Sequence, residues 1–329
     1  MNIEGWIPRE VILGDEARAK VPVEFWIQNN QFANPPTLFL PLYHVIHKVN
    51  QSINSNSGIK DAQNDMIYLN RVFKRLSHWY DWFNKTQIGK TPFTYRWRGR
   101  FSDSKLELNP KTLTSGLDDY PRASHPNEQE RHLDLRCWMA WASKVMADLS
   151  DIIGNPSNSY RVHYETLKNN KILDELHWSS VQYADYGLHS DRIRLVRQKP
   201  VDEKQQPNQL PMIRSVEVEP TYQFVNSAGY VSLFPMLLEL IDADSPKLAA
   251  VLDQIRDSKK LWTNFGLRSL ARDAPLYDKR NTEHDPPYWR GAIWININYL
   301  ALKSLKFYSS IDGPYREKAA RIYSELRYN

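Results

Sequence analysis

The amino-acid sequence predicts an all-α protein whose helices pair into an α/α toroid or solenoid rather than a four-helix bundle. Three observations point there. Apolar residues recur at three- and four-residue steps through about eight separate stretches. Long loops rich in Pro, Gly and Asp join them, at 87–110, 197–211 and 271–287. No Pro/Gly/Ser linker and no internal repeat divides the 329 residues, so one large domain is expected.

The helices follow in order. Leu38, Leu42, Val45, Ile46 and Val49 predict a helix over 37–53, and Ile67, Val72, Leu76, Trp79 and Trp82 one over 61–83. Pro126 and Asn127 read as a stop and a cap before a third helix over 128–153. A fourth is expected over 158–176. Four more are expected over 230–241, 246–255, 289–308 and 314–328, with Pro246 and Pro314 at first-turn positions that suit proline. Gln205 to Gln209 is the most polar stretch and reads as a surface loop. The amphipathic stretch 318–329 runs to the last residue without a helix cap, so the chain is expected to be cut there.

Composition narrows the class. Hydrophobic residues make up 41% and charged residues 25%, an ordinary globular balance. Aromatics reach 12%, with 11 Trp and 18 Tyr; most should fill a helical core, and some could stack on sugar rings. The net charge of +5 is spread among interspersed acids, so no continuous basic groove and no nucleic-acid partner is expected. Cys137 stands alone, which excludes an intrachain disulfide and predicts a buried thiol. No run of 18 apolar residues exists, and Met1 to Trp6 is no signal peptide. Sequons occur at Asn50 and Asn84. His125 and His132 lack metal-ligand spacing, and there is no phosphate loop or nucleophile elbow, so neither metal nor cofactor is implied.

The chemistry-bearing stretch is Thr114-Ser115-Gly116-Leu117-Asp118-Asp119-Tyr120-Pro121-Arg122-Ala123-Ser124-His125-Pro126. It sets adjacent carboxylates beside a glycine turn and a guanidinium. Glycosidases place two carboxyl groups about 5 to 9.5 Å apart across the scissile bond, so Asp118 and Asp119 are not expected to be both members of such a pair. The plainer alternative is an Asx-turn before a helix. Glu130 and Asp134 sit at i and i+4 on the expected helix, either as a solvated face paired with Arg131 and Arg136 or as supports for the loop. Tyr288-Trp289-Arg290-Gly291 and Tyr95-Arg96-Trp97-Arg98-Gly99-Arg100 combine aromatic faces with guanidiniums, which suits a sugar or a cation–π core.

Four blocks together resemble glycoside hydrolase family 63, over nearly the whole chain. They are Gly5-Trp6-Ile7-Pro8-Arg9-Glu10 through Gly14-Asp15-Glu16-Ala17-Arg18; Ala33-Asn34-Pro35-Pro36-Thr37-Leu38; Ser115 to Pro126 with Glu130 to Arg136; and His284-Asp285-Pro286-Pro287-Tyr288-Trp289-Arg290-Gly291. The resemblance implies an (α/α)6 barrel, incomplete at both ends, spanning residues 1–329. It implies an inverting α-glucosidase that removes the terminal α-1,2-linked glucose from the N-glycan precursor in the endoplasmic reticulum lumen. The family's general acid maps onto Asp118. Trp6, Arg9, Glu10, Arg98, Asp119, Arg122, Trp289 and Arg290 map onto the substrate pocket, with Glu130 and Asp134 as supporting carboxylates. The family's β-sandwich domain and membrane anchor are expected to be missing. So is its Trp-Glu-Gln-Tyr block with the general base, a sequence that does not occur here. An inactive sugar-binding fragment, or a family member acting on another α-glucoside, are the alternatives.

Overall fold

The computed structural model describes residues 1–23, 26–54, 59–202 and 205–328, with the backbone alone for 53, 54, 59–63 and 207. Glu203 and Lys204 of the expected 197–211 loop, and Asn329 at the end of the last amphipathic stretch, lie outside the described residues. The fold is mostly helical. Its helices are α1 (Gly14–Lys20), α2 (Phe39–Asn54), α3 (Ile59–Thr86), α4 (Leu133–Ile153), α5 (Asn158–Lys168), α6 (Asn170–His177), α7 (Tyr230–Leu237), α8 (Pro246–Arg256), α9 (Ile295–Tyr308) and α10 (Arg316–Arg327).

The centre of the core is α4, 16 of whose 21 residues are buried. It packs against α2, α3, α5 and α7; α7 in turn meets α8 and α9, and α10 covers α8 and α9. Aromatics knit these contacts: Phe39 of α2 stacks on Trp79 of α3 at 5.6 Å, and Trp138 of α4 meets Phe234 of α7 edge-on at 5.7 Å. Each such buried ring contributes on the order of 2–3 kcal/mol through the area it removes from water.

Several helix boundaries differ from the expected ones, each for a local reason. The 158–176 stretch is two helices, because Asn169 leaves helical geometry and its side chain accepts the Ile172 amide at 3.1 Å, capping α6. The 246 helix begins as expected, with Ser245 accepting the Lys247 amide. Residues 128–132 are not helical: Arg131 exchanges backbone hydrogen bonds with Tyr186, which draws this segment into a bridge and delays α4 to Leu133. Likewise 289–294 is irregular, and α9 begins at Ile295.

Strands were not expected. β1 (Tyr186–His189) pairs antiparallel with β4 (Thr221–Phe224), and the hairpin of β2 (Ile193–Arg197) and β3 (Met212–Val216) is nested between them. A short third pair joins β5 (Trp262–Thr263) to β6 (Gly266–Leu267). β1 lies along the 125–131 segment, with His125 bridged to Leu188.

Candidate active site

Asp118 sits at the end of a tight turn. A single 3-10 turn at Leu113–Ser115 is closed by Gly116, whose left-handed φ of 71° a side chain would resist. Ser115 Oγ donates to the Thr112 carbonyl at 2.8 Å and accepts the Leu117 amide at 3.1 Å; the Thr112 amide then donates to the Asp118 carbonyl at 2.8 Å. The Asp118 carboxyl is half-buried, and among the described residues no hydrogen bond from another residue reaches it. Burial pushes its pKa up, Arg9 and Lys111 pull it down, Asp119 pushes it up, and the net direction is upward.

Its neighbours are engaged. Asp119 is buried; its Oδ1 accepts the Trp289 amide at 2.6 Å, its Oδ2 the Tyr288 amide at 3.0 Å, and its carbonyl the Arg290 Nε at 2.8 Å. Arg290 is also buried and donates onward to the Lys279 carbonyl at 3.1 Å and Asn281 Oδ1 at 2.6 Å. Burial lowers the Arg290 pKa to about 10 against the pull of Asp119. Arg122, fully buried, donates from Nη1 to Asp134 at 3.0 Å and Asp185 at 2.8 Å, and from Nη2 to Asp134 at 2.6 Å. Its backbone is held on both sides by the Asn109 amide group. Asp185 also accepts the Leu133 amide at 2.8 Å, at the first residue of α4.

The expected i, i+4 face of Glu130 and Asp134 is corrected by this geometry. Glu130 precedes the helix, and both residues are buried rather than solvated. Glu130 pairs with Arg100, which also donates to the carbonyls of Pro110 at 3.1 Å and Ala123 at 2.9 Å. Asp134 takes Arg122 and the Trp97 indole instead of Arg131 or Arg136. Both carboxylates therefore brace the loop from beneath. Burial raises the pKa of each, but the guanidiniums outweigh it and hold both low.

The loop is the wall between two clefts. Thr114 lines one of about 220 Å³ together with Trp6, Arg9, Phe32 and Asn34. Ser115, Gly116 and Leu117 line the other, about 490 Å³ and mostly apolar, with Leu40, Trp138, Phe234 and Tyr299. Trp6 is fixed by its indole donating to the Phe32 carbonyl at 2.8 Å. It is held close to α3 because Gly5 lies against the His78 carbonyl, where a Cβ would stand at 2.1 Å.

The remaining expected residues divide. Trp289 is buried and stacks on Trp294 at 4.2 Å, while Tyr288 beside it is 52% exposed. Arg98 turns away: its guanidinium donates to the Thr86 and Ile88 carbonyls, both at 2.9 Å, at the far end of α3. Glu10 bonds Gln28 through its backbone and leaves its carboxylate exposed. Sequence reasoning did not single out Asn109, Lys111, Asp185 or Asn281, which belong to no motif and act through contacts distant in sequence. Among the described residues no group of His, Cys, Asp and Glu could hold a metal ion, and no helix is long and apolar enough to cross a membrane.

Residues 1–329 match the family described as the glycosyl hydrolase family 63 C-terminal domain. The chain is 44% identical, over its whole length, to 39% of the "Mannosyl-oligosaccharide glucosidase GCS1" of Arabidopsis thaliana, and 42% identical to 42% of the "Alpha-glucosidase 2" of the same plant. Against the mannosyl-oligosaccharide glucosidase of Saccharomyces cerevisiae it is 32% identical over 99% of the chain and 40% of that protein. It thus spans about two fifths of the length of these relatives. In fold it is similar to the family 63 mannosylglycerate hydrolase of Thermus thermophilus solved with Tris and D-glycerate, at a TM-score of 0.61 and 11% identity over 98% of this chain and 76% of that one. At that identity the likeness speaks for the fold alone. On the family match along its entire length, this chain belongs to glycosyl hydrolase family 63.

Proposed function

We propose that this chain supplies the general acid of an inverting α-glucosidase that removes the terminal α-1,2-linked glucose from a glucosylated N-glycan precursor. The observation that carries the reading is the contrast among the carboxylates around the loop. Asp119, Glu130, Asp134 and Asp185 are engaged by backbone amides or guanidiniums, whereas Asp118 is not and its pKa is raised. A half-buried carboxyl that keeps its proton is what a leaving glycosidic oxygen requires. The similarity to two mannosyl-oligosaccharide glucosidases supports the substrate class.

In this reading Asp118 gives its proton to the glycosidic oxygen as the bond from the anomeric carbon breaks, and the bonding pair stays with that oxygen. Water bonds the anomeric carbon from the opposite face and loses a proton to a base. That base belongs to the family's Trp-Glu-Gln-Tyr block, which does not occur in these 329 residues. Trp6 and Arg9 contact the sugar from the smaller cleft, and Tyr288 and Trp289 border the loop. Asp119, Arg122 and Arg290 hold the acid in place rather than grip the substrate. The reading places the whole enzyme in the endoplasmic reticulum lumen, anchored by a segment outside these residues.

We infer further that the helices follow an (α/α)6 plan, with α2, α4, α7 and α9 as the inner row and α3, α5, α8 and α10 outside. The succession of packed pairs α2–α4, α4–α7 and α7–α9, the burial of most of α4 and the complete burial of α7 support this.

Proton NMR of a triglucosylated glycan treated with the full-length enzyme tests the reaction. Initial release of β-glucose is expected; α-glucose first, or no release, contradicts it.

A further inference from the structure

We propose that the cleft at the C-terminal end of α3 binds an oxyanion of the phosphate class, gripped by Arg96, Arg98 and Lys85. The cleft measures about 600 Å³ and is lined by Lys85, Lys90, Arg96, Arg98 and Glu128, together with uncharged residues. Four cations therefore share it with one carboxylate. That carboxylate is already engaged, because Glu128 Oε2 pairs with Lys90 Nζ at 2.6 Å. The inference goes beyond the glycosidase reading and does not depend on Asp118 being the acid.

The backbone holds these charges in place. Side chains alternate along 95–98 as they do in a strand: Tyr95 and Trp97 enter the core, while Arg96 and Arg98 face the cleft. The Arg96 amide donates to the Gln87 carbonyl at 2.8 Å, the Gly89 amide donates to the Thr94 carbonyl at 2.8 Å, and Ile88 is bridged to Tyr95. The arginine segment is thereby clamped to the chain leaving α3. Arg98 is fixed further, with Nε donating to the Thr86 carbonyl and Nη2 to the Ile88 carbonyl, both at 2.9 Å. Those neutral acceptors orient its guanidinium and leave its charge without a counter-ion. The Arg96 guanidinium has no hydrogen bond or ion pair among the described residues, and its Nε is shut off from solvent. Lys85, exposed in the last turn of α3, has no carboxylate partner among them either. A single carboxylate brings one charge and two oxygens. Three cations without a carboxylate of their own call for a group with more of both, which is phosphate. Its oxygens take guanidinium N–H groups in pairs, and its charge offsets the repulsion between the arginines. Burial lowers the pKa of both arginines, that of Arg98 to about 10 with Arg96 adding to the effect, as cations short of counter-charge should show.

The test is calorimetric titration of the full-length enzyme with inorganic phosphate, with sodium chloride added to hold the ionic strength constant. One saturable site is expected. Arg96→Gln should weaken it at least about tenfold, and Arg96→Lys less, because lysine keeps the charge and loses the paired N–H groups. Lys85→Gln, at an exposed position where the fold has little at stake, should weaken it too. Arg9→Gln, which removes a cation from the cleft beside Trp6, should leave the phosphate affinity unchanged. Acetate should bind at least about tenfold more weakly than phosphate. Glycerol 2-phosphate, run as a second titrant, tells the source apart: tighter binding than inorganic phosphate assigns the site to an esterified phosphate and weaker binding to the free ion, both supporting the proposal. The absence of a saturable site, acetate binding as tightly as phosphate, or an affinity kept in both Arg96→Gln and Lys85→Gln overturns it. Turnover plays no part in this readout, so failure here leaves the Asp118 assignment untouched.

Discussion

The carboxylate of Asp119 accepts the backbone amide of Trp289 at 2.6 Å, across 170 residues of sequence. With the Tyr288 amide and Arg290 Nε on the same residue, this fastens the Asp118 loop to the segment that precedes α9. Removing the carboxylate leaves two backbone amides without their acceptor. Asp119→Ala should cost about 2–4 kcal/mol in chemical denaturation. A change under about 0.5 kcal/mol would mean the two segments are not fastened through this side chain.

Arg122 predicts a larger effect. It is a fully buried cation held by Asp134 and Asp185, and its pKa is set by burial pulling down and the two carboxylates pulling up, with the upward direction winning. Asp134→Asn leaves that charge short of its bidentate partner and should destabilise the fold by about 3–5 kcal/mol. Arg122→Met combined with Asp134→Leu should recover part of the loss, because the buried charge goes too. A double variant less stable than Asp134→Asn alone would contradict this.

His177 predicts an acid limb of stability. It is fully buried, bonds the Ala184 carbonyl through Nδ1 at 3.0 Å, and burial lowers its pKa to about 3 with Arg136 assisting. In the unfolded chain the ring protonates near pH 6.5. The unfolded state then binds the extra proton, so stability is intact above that pH and falls as pH drops toward the folded value, by about 1.4 kcal/mol per unit. His177→Gln should flatten this part of the stability-against-pH curve. An unchanged slope would assign the acid sensitivity elsewhere.

Gly5 predicts an effect on the smaller cleft. A Cβ there would stand 2.1 Å from the His78 carbonyl oxygen, and the φ of 97° adds strain. Gly5→Ala should lift the N-terminal segment from α3 and displace Trp6. Trp6 fluorescence is not isolated among the 11 Trp residues. The check is therefore the increase in KM, expected to exceed about threefold, with kcat changed less. An unchanged KM would separate Trp6 from substrate binding.

Much of the helical skeleton was legible in the sequence, because α2, α3, α8 and α10 each bury one periodic stripe. The strands were not, since β1 and β4 are four-residue segments whose pairing partners lie far apart in sequence. The stretch 128–132 read as helix because its residues favour helix, and its backbone pairing with Tyr186 overrides that preference. In the candidate site, the turn ahead of Asp118 was legible from Gly116. The Arg–Trp–Arg pattern does not say which way successive side chains face: Trp97 enters the core, and Arg98 turns to the end of α3. The bracing by Asn109, Asn281 and Asp185 is tertiary throughout and left no local pattern to read.

Asp118 is proposed to supply the proton. The most direct measurement is kcat of full-length Asp118→Asn on a triglucosylated glycan, with the thermal midpoint recorded in parallel. A loss of at least about 100-fold in kcat is expected. The midpoint should be unchanged or slightly higher, since a carboxyl disfavoured in its charged form is replaced by a neutral amide. Turnover within a few-fold of the wild type would contradict it.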